Sequence, residues 1–82
     1  MLDKLRETPK KTIGTKQTLK ALEKGQVEVV FIALDAEERV VSGIRELCME
    51  KGIEIVNVAT MKELGEACGI QVGAASAAII TK

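Results

Sequence analysis

Six apolar residues in a row, VVFIAL from Val29 to Leu34, stand between the acids Glu28 and Asp35. The run does not alternate with polar residues, so a strand made from it buries both faces, as strands of a parallel sheet do. It needs cover on two sides. Phe31 is the only aromatic residue in a chain that is 46% hydrophobic, so the cover has to come from Val, Ile, Leu and Ala. That composition favours helices packed on a sheet over an aromatic-rich barrel.

The rest of the chain supplies such helices. Val40, Val41, Ile44, Leu47 and Cys48 form a helical stripe that Gly52 stops. A second strand follows at Ile53 to Val58. Thr60 and Glu63 make a capping box for a short helix whose buried side is Met61, Leu64, Ala67 and Cys68, ending at Gly69. The last strand is Ala77 to Thr81. Near the front, Thr15 is placed to cap a helix running to Lys24, with Gly25 as its stop. Thr12 and Ile13 can add an edge strand, and a short helix fits Leu2 to Glu7 before Pro9. Strand, helix, strand, helix, strand is a repeated crossover pattern. It predicts an α/β fold, a three-layer α/β/α sandwich with a small mixed, largely parallel four-stranded sheet, as a single domain over residues 1–82. At 82 residues the chain has no room for a second domain.

Several function classes are excluded by what the chain lacks. It contains no His, Tyr or Trp, no serine in a nucleophile-elbow sequence and no glycine-rich phosphate loop. No catalytic residue, metal or cofactor is expected. Cys48 and Cys68 are the only cysteines, they form no CxxC, and they sit at apolar positions of separate helical patterns. Both read as small buried hydrophobes. No apolar run approaches the roughly 20 residues that span a bilayer, and MLDKLRETPKK lacks the apolar segment of a signal peptide, which predicts a cytoplasmic protein with no membrane partner. Asp35, Glu37 and Glu38 cluster after the first long strand, where open α/β sheets often place a site. They also suit a helix start, whose dipole favours acids.

Net charge is zero, yet residues 1 to 24 hold seven Lys/Arg against three acids. This asymmetry permits a local anion-binding face, and equally a solvated charged helix. Lys16, Lys20 and Lys24 recur every fourth residue and so line one helix face, with Gln17 in the first turn. The free N–H groups and positive dipole end of that helix point the same way as Lys16. Such a set of donors suits phosphates and the acceptor-rich edge of guanine, and Gly14 allows close approach of a ligand backbone. In GIQVGAAS, Gly69 to Ser76, Ile70 and Val72 flank Gln71 on a glycine-bounded loop. Those residues either plug into the core or form an exposed apolar finger that packs on an unstacked base.

At GTKQTLKALEKG and MKELGEACGIQVGAASAAII the chain resembles the kink-turn-binding ribosomal proteins of the L-seven-Ae type, most closely their small bacterial YbxF-like branch. The resemblance runs from Thr12 to Thr81, nearly without gaps. It implies a three-layer α/β/α fold and binding, as a monomer, to kink-turns: RNA duplexes bent at a three-nucleotide bulge followed by sheared G·A pairs. Ribosomal RNA and riboswitch leaders are the RNA classes implied, with the ribosome as one partner. Carried over residue by residue, Lys16, Gln17 and Lys20 lie in the widened major groove at the G·A pairs, with Gly14 and Thr15 bringing backbone against RNA. Lys24 meets a phosphate, and Ile70, Gln71, Val72 and Gly73 cover the flipped bulge nucleotides. Archaeal and eukaryotic members usually have Asn-Glu where this chain has Lys16-Gln17. Many also carry a charged residue where Leu34 stands and a proline soon after Asp35, so no contact is carried over to Asp35, Glu37 or Glu38. The competing expectation is a protein-interaction module that self-associates through Ile70 to Ala75.

Overall fold

The computed structural model describes residues 2–81. Its elements in order are α1 (Leu2–Glu7), β1 (Lys11–Ile13), α2 (Thr15–Glu23), β2 (Val27–Ala33), α3 (Glu38–Lys51), β3 (Glu54–Val58), α4 (Met61–Cys68) and β4 (Ser76–Ile80). The four strands form one sheet in the order β1-β4-β2-β3. Helices α1 and α4 cover one face, α2 and α3 the other, which gives the three layers expected. Among the described residues no helix is long and apolar enough to cross a membrane.

Strand β2 shows why its sequence is unbroken by polar residues. Val29, Phe31 and Ala33 pack with Leu5 and Leu64 on the α1/α4 side. Val30 and Ile32 pack with Leu22, Val41 and Ile44 on the other. A register shift against β4 between Val27 and Val29 puts Val27 on the α2/α3 side and leaves Glu28 exposed, ion-paired with Lys4 of α1. Cys48 and Cys68 are free and buried, each in the core on its own side of the sheet. Burial pushes both thiols up, opposed by Arg45 beside Cys48 and by Lys11 beside Cys68. With the sheet between them they cannot reach disulfide distance in the folded chain.

The expectation of a largely parallel sheet is corrected. Only β2 and β3 pair in parallel, whereas β4 lies antiparallel to both β1 and β2. The reason lies after α4. The chain turns at Gly69, whose φ of +82° suits glycine, and runs back along the helix until Ala74 N–H donates to the Met61 carbonyl at 3.0 Å. By then it has returned to the end of the sheet where β2 finishes, and β4 can only enter heading the opposite way, Ser76 opposite Ile32. The return is packed tightly on α4. A Cβ added to Gly65 would stand 2.0 Å from the Val72 carbonyl oxygen, and one added to Gly73 would stand 3.0 Å from the Met61 Cβ.

The N-terminus of α4 is capped twice. The Thr60 hydroxyl accepts from Glu63 N–H at 3.0 Å, as the capping box predicts, and the Asp35 carboxylate accepts from Met61 N–H at 2.8 Å. Asp35 thereby pins the β2–α3 turn to α4. A carboxylate on free N–H groups at the positive end of a helix is favoured twice over.

Two stability outcomes follow from these contacts. Gly→Ala inside a helix ordinarily stabilises by about 0.5–1 kcal/mol, but Gly65→Ala should destabilise, by about 1–3 kcal/mol, because a backbone carbonyl has to move. Urea denaturation reads the sign: a lower midpoint with unchanged slope is expected, and a raised midpoint would contradict the packing. Asp35→Ala should remove about 1 kcal/mol of capping, seen as a melting temperature lower by about 4–8 °C in a domain of this size.

Candidate nucleic-acid interface

Gly14 joins β1 to α2 with φ +94° and ψ 160°, a region essentially reserved for glycine. It is the N-cap of α2, so the expectation that Thr15 caps the helix is corrected. Thr15 is the first helical residue, and its hydroxyl shares a hydrogen bond with Ser76 Oγ at 3.1 Å. Gly14 N–H donates to the Ser76 carbonyl at 2.8 Å, and the Gly14 carbonyl accepts from Thr18 N–H at 3.1 Å. Beneath them the buried Thr12 and Thr18 hydroxyls meet at 2.9 Å and hold β1 on α2. Ser76, Thr12 and Thr18 carry no chemical signature in the sequence, and their role rests on contacts across the fold.

No side chain caps α2. Gln17 turns back, its Oε1 accepting from Ile13 N–H at 3.4 Å. Among the described residues, the N–H groups of Thr15, Lys16 and Gln17 have no acceptor. They stand at the positive end of the helix dipole. Lys16, Lys20 and Lys24 are exposed and make no ion pair among the described residues. Gly14, Thr15, Lys16 and Gln17 thus converge on one edge, with Lys20 one turn below. Lys24 lies two turns down, about 12 Å from Lys16 along the axis.

The loop after α4 divides between the two expected arrangements. Ile70 is half-buried against the α1/α4 core, anchored by its N–H on the Gly65 carbonyl at 3.1 Å. Val72 is 70% exposed, with Gln71 and Gly73 exposed beside it. Between this loop and α4 lies an open cleft of about 310 Å³, lined by Lys62, Glu66, Ile70, Gln71, Val72 and Gly73. Lys62 and Glu66 were not singled out from sequence. Their signal is spacing alone, one helical turn apart on the outer face of α4.

Ser76 brings the two stretches together. It is held by Gly14 and Thr15 and follows Gly73 by only three residues, so Gly73 stands within about 11 Å of Ser76 and about 16 Å of the α2 start. The acids after β2 are engaged locally: Asp35 caps α4, Glu37 pairs with Arg39 at 3.4 Å and Glu38 with Arg45 at 3.2 Å. This end of the sheet therefore presents a cationic helix start with open N–H groups, bordered by an apolar-tipped loop. Such a surface suits a polyanion that also offers apolar faces.

Comparison with known proteins gives the family and the fold. The model of the Ribosomal protein L7Ae/L30e/S12e/Gadd45 family matches residues 1–82. The chain is 61% identical over 70 residues to the RNA-binding protein TTE2299 of Caldanaerobacter subterraneus subsp. tengcongensis, covering 85% of each chain. It is 45% identical over 80 residues to the large ribosomal subunit protein eL8 of Halobacterium salinarum, covering 96% of this chain and 67% of that one. Among solved structures, the 15.5kD RNA binding protein of Giardia lamblia superposes with a TM-score of 0.87 at 27% identity, over 99% of this chain and 68% of that one. With its family's model matched along residues 1–82 and its fold shared with that structure, the chain belongs to the ribosomal protein L7Ae/L30e/S12e/Gadd45 family.

Proposed function

We propose that this protein is a non-enzymatic RNA-binding protein whose 82 residues act as one unit that recognises kink-turns in structured RNA. The observation that carries the reading is the convergence at one sheet end of the open α2 start with the loop after α4, joined through Ser76. Relatives named as RNA-binding proteins support the RNA class. Lys16, Gln17 and Lys20 take the groove at the sheared G·A pairs, where guanine O6 and N7 accept from cationic and amide donors. Gly14 lets the RNA backbone come close, Thr15 brings a free N–H group to a phosphate oxygen, and Lys24 meets a phosphate further along the duplex.

Ile70, Gln71, Val72 and Gly73 cover the bulged nucleotides. Half-burial fixes Ile70 while exposure leaves Val72 free to pack on an unstacked base. A regular A-form major groove is too narrow for this, and a kinked one is not. Unpaired N–H groups and lysines favour an anionic partner over self-association through an apolar loop.

A gel shift comparing a kink-turn RNA with the same RNA carrying Watson–Crick pairs in place of the sheared G·A pairs tests the reading. Binding at fixed salt should weaken by about 2–6 kcal/mol for the two changed pairs, and equal affinity for both RNAs would sink it. Lys20→Ala should cost about 1–3 kcal/mol and reduce the slope of log K against log salt by about 1. An unchanged dissociation constant would remove Lys20 from the interface.

A further inference from the structure

Among the described residues four large apolar side chains are exposed, Leu34, Val40, Met49 and Val72. Exposed apolar residues scattered singly are ordinary. Here three of the four gather at the sheet end where α2 begins: Leu34 at the exit of β2, Val40 in the first turn of α3, and Val72 on the loop. Leu34 is 62% exposed, and its backbone is held on every side. Its own N–H donates to the Val58 carbonyl at 2.8 Å, Ala33 N–H to the Ala75 carbonyl at 2.9 Å, and Ala36 N–H to the Ala33 carbonyl at 3.2 Å. The Asp35 carboxylate holds the next residue on Met61 N–H at 2.8 Å. Leu34 is therefore displayed from a fixed backbone, not from a free loop.

Its place in the sheet order fixes its neighbours. Ala75 lies one strand away, about 5 Å at the usual strand spacing, and Gly14 lies two strands away and two residues back along them, about 12 Å. By the alternation of β2, Leu34 continues the face of Val30 and Ile32, which α2 and α3 cover. It stands beside the open start of α2. The acids that follow it would repel phosphates if free, but Asp35, Glu37 and Glu38 are each turned to a local N–H or arginine. What the β2–α3 turn offers outward at this point is a branched apolar group.

Resting on the RNA reading, we infer that Leu34 is a base-contacting residue of the interface: its exposed side chain packs on the face of a nucleobase that has left the helical stack, across the sheet end from Val72. An apolar group gains nothing from phosphate, and stacked bases hide their faces, so an unstacked base is the partner that fits. The contact buries apolar surface and neutralises no phosphate, so it strengthens binding without adding to the salt dependence.

The test uses wild type, Leu34→Ala, Leu34→Met and Leu34→Glu with a kink-turn RNA carrying 2-aminopurine at each bulge position in turn. Leu34→Ala should weaken binding about 10-fold, as expected for losing much of a buried leucine side chain. The salt slope and melting temperature should stay as in wild type. Leu34→Met should keep near-native affinity, Leu34→Glu should bind more weakly than Leu34→Ala, and one 2-aminopurine position should change fluorescence between wild type and Leu34→Ala. Equal RNA affinity for Leu34→Ala and wild type, while Lys20→Ala binds more weakly, overturns the proposal. Failure of wild type to distinguish sheared from Watson–Crick pairs overturns the kink-turn reading alone, because the Leu34 effect is still read on the same RNA.

Discussion

The contact on which the rest of the structure depends is the packing of the return segment against α4, where the Val72 carbonyl occupies the space that a side chain on residue 65 would need. Because the chain lies this close to the helix, it regains the far end of the sheet within a few residues and delivers β4 between β1 and β2. Ser76, the first residue of β4, is then in reach of Gly14 and Thr15. One line of contacts thus connects the outer loop, the sheet and the start of α2. The two surfaces proposed to meet RNA are thus tied together by hydrogen bonds through Ser76, and an interface held in place before binding loses less conformational entropy than a loop that must be ordered.

Charge is used locally in this protein. The chain is neutral overall, which limits long-range attraction to any polyanion. At the α2 start, however, the lysines make no ion pair and the first N–H groups have no acceptor among the described residues, and the dipole adds its positive end. The acids that could cancel this field, Asp35, Glu37 and Glu38, are occupied nearby. A field of this kind is short-ranged and directional, which, under the proposed function, suits a particular RNA bend more than coating of any duplex.

Much of the fold was legible in local pattern. The unbroken run at β2 marked the central strand, and the capping box at Thr60 and the glycines at 52 and 69 marked helix ends that the structure reproduces. The misreadings share a cause. Thr15 looks like a cap because threonine is a good one, but the Ser76 hydroxyl, distant in the chain, engages it, and Gly14 takes the cap position in a conformation closed to other residues. Gly65 carries no local signal, and its value becomes visible only once Val72 is beside it. The acids after β2 suit the start of α3 as well as a strand-end site, and only the fold shows Asp35 on Met61 N–H of α4.

What the sequence alone determined is everything that depends on residues a few positions apart: which segments are helix or strand, which strand is buried on both faces, and that lysines, glutamine and glycine gather at one helix start. Only the tertiary structure decided the direction of β4, and with it the meeting of the α2 start, the β2 exit and the return loop. The physical reason is that a strand carries the same two-residue alternation whichever way it runs. Its direction is set by how closely the preceding segment can pack on α4, which is a property of contacts and leaves no period in the chain.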